Sequence, residues 1–119
     1  MSVRKNQEAT FLTEMEDNNS LSVDRDPGGV IVVHGDIDVA GGPILEAALR
    51  KADDTTPVII DLGDVFFIDS SGLRCLLGAG RRAHDRGTTV ILRGVGSEVL
   101  RLLEITGTTD QFSIEDRRD

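Results

Sequence analysis

The chain has 119 residues, a formal net charge of −8, four Phe and no Trp or Tyr. This length suits one domain with one core, and the acidic balance excludes the basic surfaces that bind nucleic acid or an anionic membrane. A single cysteine excludes an internal disulfide, and the lack of a signal peptide or bilayer-length apolar run favours a cytoplasmic location.

The first 20 residues are polar and charged and show no sustained period. We predict a solvated tail over residues 1–20, followed by one domain over residues 21–119. An alternative remains for the tail. Phe11, Leu12 and Met15 could form one apolar face of a segment that docks on the domain or on a partner.

The domain alternates between strand-like and helix-like patterns. A turn signal at residues 26–29, Asp-Pro-Gly-Gly, separates two short runs and predicts a hairpin. Strands are predicted at residues 21–25, 30–33, 58–62, 88–92 and 112–114, and helices at 41–52, from the turn near 70 to about 87, and at 99–106. This order implies an α/β fold with an N-terminal hairpin, a mixed, mostly parallel sheet, and helices packed by βα crossovers. The strand at 58–62 is predicted to be buried on both faces.

The most informative stretch, residues 67–73, reads Phe-Ile-Asp-Ser-Ser-Gly-Leu. It places serine hydroxyls at a helix N-terminus, where unpaired backbone N–H groups and the helix dipole favour negative charge. A hydroxyl beside a carboxylate in that place is either a helix cap or a phosphorylation switch. Asp69, Ser70 and Ser71 are all good caps, so local pattern alone favours capping.

Other polar residues have simpler interpretations. Asp38 could cap the first helix as easily as it could serve a binding site. Cys75 lies in an apolar helix and is interpreted as a small core residue rather than a nucleophile. His34 and His84 lack metal-ligand spacing, so we predict no metal and no cofactor.

Three stretches match the pattern of one family. Residues 35–38 read Gly-Asp-Ile-Asp at the end of a strand, residues 60–73 carry a strand, a turn and a helix start with Asp-Ser-Ser-Gly, and residues 101–107 form a late helix ending in Gly. Over roughly residues 21–114 the chain resembles the STAS family (sulphate transporter and anti-sigma factor antagonist domains), and more narrowly its stand-alone bacterial anti-sigma factor antagonists. Two departures are the small residues 39–42, Val-Ala-Gly-Gly, and an end soon after Ile114, where the family often has a further helix.

The resemblance implies a partner switch in regulation of transcription. The unphosphorylated protein would bind an anti-sigma factor that is also a serine kinase, and so free a sigma factor. Phosphorylation of Ser70, directly after Asp69, would end the complex, and a phosphoserine phosphatase would restore it. The implied partner-binding residues are Asp38, Asp69, Ser71 and Gly72, with no catalytic residue, nucleic acid or membrane involved.

Elementary chemistry is compatible with this implication. A phosphoryl acceptor needs only an exposed, positioned hydroxyl, because the kinase supplies the metal, the base and the nucleotide. The phosphate adds about −1.5 to −2 charge. Asp38 and Asp69 both follow strands of one sheet, so we expect them near each other, in an anionic patch that the phosphate would strengthen.

Competing functions remain open from the residues. A serine hydrolase could combine Ser70, His34 and an Asp, although Ile68 stands where a nucleophile elbow needs Gly. A receiver-like domain would use Asp61, but its acidic pair and later Lys are missing, and residues 94–96 lack the third Gly of a dinucleotide motif. A STAS subunit of a stress-signalling or transport complex keeps the fold and changes the partner.

Overall fold

The elements follow the predicted order along the chain. The computed structural model describes residues 21–52 and 56–115, so the predicted tail at 1–20 lies outside the described residues. The strands are β1 (Ser22–Arg25), β2 (Ile31–His34), β3 (Val58–Asp64), β4 (Val90–Arg93) and β5 (Ser113–Ile114), and the helices are α1 (Gly42–Lys51), α2 (Ser70–Asp85) and α3 (Ser97–Ile105), with a 3-10 turn at Thr109–Gln111.

The N-terminal hairpin is confirmed, and Asp26 holds its turn. Strands β1 and β2 pair antiparallel. The Asp26 Oδ1 atom accepts hydrogen bonds of 2.9 Å from the backbone N–H groups of Gly28 and Val30. Gly29 completes the turn with a φ of 87°, a left-handed conformation that glycine adopts without steric cost.

The sheet has the order β1-β2-β3-β4-β5, and every pair after the hairpin is parallel. Strand order therefore equals chain order, and each crossover moves in the same direction. Because parallel crossovers are right-handed, this order places α1, α2 and α3 on one face of the sheet. The mixed, mostly parallel α/β fold is confirmed.

Burial along β3 agrees with helices on one face. Val58, Ile60 and Leu62 are buried, whereas Ile59 and Asp61 between them are only partly buried. The prediction that this strand is buried on both faces is wrong, because no described helix covers the second face. The run of apolar residues in β3 did not reveal which face is exposed, because strand order decides on which face of the sheet the helices pack.

One hydrophobic core lies between the sheet and the three helices. The helices contribute residues at helical spacing, and the strands contribute alternate residues. The residues that are at most 1% exposed include Leu45 and Leu49 of α1, Leu76 of α2, and Val99 and Leu103 of α3. Among the described residues, no helix is both long enough and apolar enough to cross a bilayer.

Candidate functional site

A short backbone pairing joins the two loops that carry the predicted site residues. Ile37 and Ile68 form an isolated parallel bridge beyond the ends of β2 and β3. The Asp69 N–H donates to the Ile37 carbonyl at 3.0 Å, and the Ile37 N–H donates to the Phe67 carbonyl at 2.9 Å. Asp38 and Asp69 each follow a bridged residue directly, so the structure brings them to neighbouring positions.

Asp69 is the N-cap of α2. Its Oδ1 atom accepts hydrogen bonds from the backbone N–H groups of Ser71 at 2.8 Å and Gly72 at 3.1 Å. Its backbone is extended, as an N-cap requires. Three adjacent residues could have capped this helix, and the structure assigns the cap to the carboxylate.

Ser70 is the first residue of α2 and is exposed. No described residue forms a hydrogen bond with its hydroxyl group. Because Asp69 already satisfies the nearest N–H groups, the Ser70 hydroxyl is left without a structural task. This is the condition that a phosphoryl acceptor needs and that a capping serine would not meet.

Ser71 and Gly72 seat the turn against the rest of the domain. Ser71 is partly buried and faces the start of α1, where its Cβ atom would lie 3.9 Å from a Cβ added to Gly42. Gly72 is buried, and an added Cβ would lie 2.3 Å from Ile37 Cγ2 and 2.7 Å from Ile68 Cγ1. The absence of a side chain at Gly72 therefore lets α2 begin against this bridge.

Asp38 closes the turn that leads into α1. Its Oδ1 atom accepts from the Gly41 N–H at 3.0 Å, and its carbonyl oxygen accepts from the Gly41 and Gly42 N–H groups at 3.1 and 3.0 Å. Gly41 is the residue at the N-cap position and has no side chain to cap with. Asp38 is exposed, so its carboxylate holds the turn and also faces solvent.

An exposed apolar patch adjoins this turn, and the sequence analysis did not single it out. We call Phe66, Phe67 and Ile105 the Phe66 patch. Their exposed fractions are 75%, 52% and 71%. The three residues line one groove, in which Glu98 and Arg101 of α3 also take part. Phe66 and Phe67, two of the chain's four Phe residues, are thus exposed in the loop that leads from β3 to Ser70.

Arg74 is the second feature that the sequence analysis missed. It lies four residues after Ser70 on α2 and is exposed. It lines the groove between α1 and α2 together with Ser71, Glu46 and Arg81. The spacing from Ser70 was the available signal, since residues four apart are neighbours on a helix surface.

The geometry does not assemble the competing sites. Both ring nitrogens of His34 already face carboxylates, with Nδ1 2.8 Å from Asp64 Oδ2 and Nε2 3.4 Å from Asp24 Oδ2. No imidazole nitrogen of His34 therefore remains to activate Ser70. In the part of the chain that the structure describes, no three His, Cys, Asp or Glu side chains are placed to hold a metal ion.

Cys75 packs against the core, where its surroundings disfavour the thiolate. Its Sγ atom lies 3.5 Å from the Gly42 carbonyl oxygen, to which the thiol donates weakly. Burial raises the pKa of the Cys75 thiol, and the nearby Glu46 carboxylate raises it further. A raised pKa lowers the thiolate fraction, which argues against a nucleophile at this position.

The capping role of Asp69 can be tested separately from its negative charge. We expect Asp69→Ala to lower the free energy of unfolding by about 1–2 kcal/mol, because two N–H groups lose their acceptor. Asp69→Asn keeps an oxygen at the same place and should stay within a few tenths of a kcal/mol of the wild type. Urea unfolding of the three proteins measures this, and equal stability of Ala and wild type would contradict the capping role.

Comparisons with known proteins identify the family. The sequence model of the STAS domain matches residues 20–119. An anti-sigma-B factor antagonist of Listeria monocytogenes is 33% identical over 87 residues, which cover 71% of this chain and 76% of that protein. One from Staphylococcus aureus is 30% identical over 88 residues, covering 72% and 82%. The chain belongs to the STAS family, which confirms the resemblance seen in its sequence.

A solved structure gives the same result for the fold. The crystal structure of an anti-sigma factor antagonist from Mycobacterium paratuberculosis matches with a TM-score of 0.67 at 26% sequence identity. The match covers 84% of this chain and 89% of that one. The likeness therefore extends over nearly the whole described domain.

Proposed function

We propose that this protein is an anti-sigma factor antagonist of the bacterial cytoplasm that works by partner switching. Its unphosphorylated form binds an anti-sigma factor with serine-kinase activity and thereby frees a sigma factor. Phosphorylation of Ser70 ends that complex, and a phosphoserine phosphatase restores it. The protein itself is a binding partner and substrate rather than an enzyme.

The observation that carries this proposal is that two neighbouring residues at the start of α2 have different roles. Asp69 caps the helix, and Ser70 stands exposed with a hydroxyl that no described residue binds. The relatives from Listeria monocytogenes and Staphylococcus aureus are named anti-sigma-B factor antagonists, which supports the same class of function. The occupied nitrogens of His34 argue against a hydrolase.

The chemistry asked of Ser70 is simple. The serine oxygen attacks the γ-phosphorus of ATP bound to the partner, its proton passes to a base of the kinase, and ADP leaves. The product carries about two negative charges beside Asp69 and Asp38. Taking that dianion out of water in an interface, or placing it against acidic groups, opposes binding.

The Phe66 patch supplies the apolar part of the proposed docking surface. It begins three residues before Asp69 and continues onto α3 through Ile105. Protein interfaces combine a central apolar cluster with a polar rim, and here Glu98 and Arg101 provide charged groups at the edge. The phosphorylation site and the patch would then lie in one continuous contact.

The experiment that tests the proposed function is affinity capture from the source cell, followed by reconstitution. The purified wild-type protein should retain an anti-sigma factor with kinase activity and release a sigma factor from it. ATP should then convert the bait to the Ser70 phosphoprotein and so release the captured anti-sigma factor. Absence of kinase activity in the retained fraction, with unchanged bait after ATP, would reject the proposal.

Asp38 provides a prediction that separates binding from folding. We expect Asp38→Ala to weaken partner binding or slow phosphorylation, while loss of its bond to Gly41 costs only about 1 kcal/mol of stability. Asp38→Asn is the matched control, because it keeps the acceptor oxygen and removes the charge. Unchanged affinity and unchanged phosphorylation rate in both variants would reduce Asp38 to a residue of the turn.

The Phe66 patch provides another prediction that separates binding from folding. The double variant Phe66→Ser, Ile105→Ser should bind the anti-sigma factor at least about tenfold more weakly, since burial of one apolar side chain contributes ~1.5–3 kcal/mol. Both residues are exposed, so the free energy of unfolding should change by less than about 0.5 kcal/mol. Ile44→Ser is the matched control: Ile44 is 48% exposed and lines a different groove, between β1 and α1. Equal affinity of the double variant and the wild type would exclude the patch from the interface.

A further inference from the structure

Arg74 stands one helical turn after Ser70 on the same surface of α2. Both residues are exposed. Side chains four residues apart on a helix are neighbours, and their Cβ atoms lie roughly 5–6 Å apart. Because Cα–Cβ bonds in a helix tilt toward its N-terminus, the Arg74 side chain can reach the turn that begins with Ser70 from the groove that it lines.

Arg74 makes no ion pair with any described residue. Two carboxylates near this part of α2, those of Glu46 and Asp69, have other partners. Glu46, which lines the same groove, lies 2.6 Å from Arg50 and 3.7 Å from Arg82, and Asp69 accepts two backbone hydrogen bonds. One turn further along α2 stands Gly78, which offers no side chain. Among the residues that the structure describes, no carboxylate therefore pairs with this guanidinium.

We propose that Arg74 is the phosphate-binding residue of the Ser70 site, and that its guanidinium binds the phosphoryl group on Ser70 within the same helix. The proposal rests on the proposed function in one respect, that Ser70 is the residue that carries the phosphate. A guanidinium presents two parallel N–H groups that match two phosphate oxygens. The order is favourable too, because an anion four residues N-terminal to a cation stabilises a helix better than the reverse.

Binding within the helix changes the surface that the partner meets. Phosphorylation would add the negative charge of the phosphate and also withdraw the Arg74 cation from the groove between α1 and α2. A carboxylate of the partner that pairs with Arg74 before phosphorylation would lose that pair. Release would then combine a new repulsion with a lost attraction.

The test uses the full chain with phosphoserine installed at position 70 during translation, and follows its ³¹P resonance as a function of pH. We expect Arg74→Gln to raise the second pKa of the phosphate by roughly 0.2–0.4 pH units, because the dianion loses its paired cation. Arg81→Gln is the matched control, an exposed arginine of the same helix seven residues further on. It should leave that pKa unchanged, and Arg74→Lys should restore part of the wild-type value.

A second measurement needs no substitution. In the wild-type protein, the Arg74 Nε–H resonance should shift and exchange more slowly when Ser70 is phosphorylated, whereas the Arg81 resonance should not. Equal phosphate pKa values in wild type and Arg74→Gln, or an unmoved Arg74 resonance, would overturn the proposal. Because translation installs the phosphoserine, this result is independent of any kinase. Failure of a kinase to modify Ser70 would reject the proposed function and leave the Arg74 measurement intact.

Discussion

Ser70→Ala should fold normally, accept no phosphate and hold its anti-sigma partner in the presence of ATP, whereas the wild type should be released. The hydroxyl is exposed and binds no described residue, so its loss should change the free energy of unfolding by less than about 0.5 kcal/mol. The effect on switching should be large. A loss of about a thousandfold in affinity on phosphorylation corresponds to ~4 kcal/mol, which an unpaired or desolvated dianion can supply.

The measurement combines phosphopeptide mass spectrometry with titration calorimetry against the cognate anti-sigma kinase. Ser70→Glu should bind more weakly than Ser70→Ala but more tightly than the phosphoprotein, because a carboxylate carries one charge and a phosphate almost two. In living cells, Ser70→Ala should raise transcription from promoters of the cognate sigma factor irrespective of kinase activity.

Ser71 is the matched control for this prediction. It has the same chemistry one residue later, but it is partly buried against the start of α1. Ser71→Ala should therefore still be phosphorylated at Ser70 and released by ATP. Phosphate on Ser71 alone, or undiminished phosphate in Ser70→Ala, would reject Ser70 as the acceptor.

The strand, turn and helix around Ser70 could be predicted because the chemistry of each step is local. Apolar runs, turn residues and helical spacing each leave a mark over a few residues, and the order of elements and the hairpin followed from them. The identity of the cap could not be predicted in the same way. Asp69, Ser70 and Ser71 are all competent, and only the backbone conformation distinguishes them.

Features that depend on distant parts of the chain were missed or mistaken. The strand at 58–62 is apolar at Ile59 as well as at Ile60, yet the described helices cover only one of its faces, because a strand order that equals chain order places them on one side. The exposure of Phe66 likewise depends on which elements fail to cover it. Local sequence contains neither fact.

At Gly72, helix α2 approaches the bridge between Ile37 and Ile68 too closely to leave room for a side chain. An alanine Cβ at this position would lie 2.3 Å from Ile37 Cγ2, 2.9 Å from Ile37 Cβ and 2.7 Å from Ile68 Cγ1. These distances are far below van der Waals contact, and Ile37 is fully buried, so the clash cannot be relieved by moving a flexible end. We expect Gly72→Ala to lower the free energy of unfolding by about 1–3 kcal/mol, or to separate α2 from the bridge between Ile37 and Ile68.

The same substitution elsewhere in α2 should have the opposite sign. An alanine Cβ at Gly78 would meet only the far end of the flexible Arg82 side chain, at 3.4 Å. Gly78→Ala should therefore stabilise the protein by up to about 1 kcal/mol, the usual gain from replacing glycine within a helix. Thermal unfolding should separate the two variants clearly, since 1 kcal/mol shifts the midpoint of a domain this size by roughly 4–8 °C.

A compensating substitution at Ile37 tests whether the clash with this residue causes the expected loss of stability in Gly72→Ala. Ile37→Leu removes the Cγ2 methyl group that the new Cβ would strike and nearly conserves volume. In combination with Gly72→Ala, it should recover part of the lost stability, so the two changes should be non-additive. Strict additivity of the two stability changes, or a Gly72→Ala protein as stable as the wild type, would contradict the close approach of α2 to this bridge and remove the basis for assigning Gly72 its role.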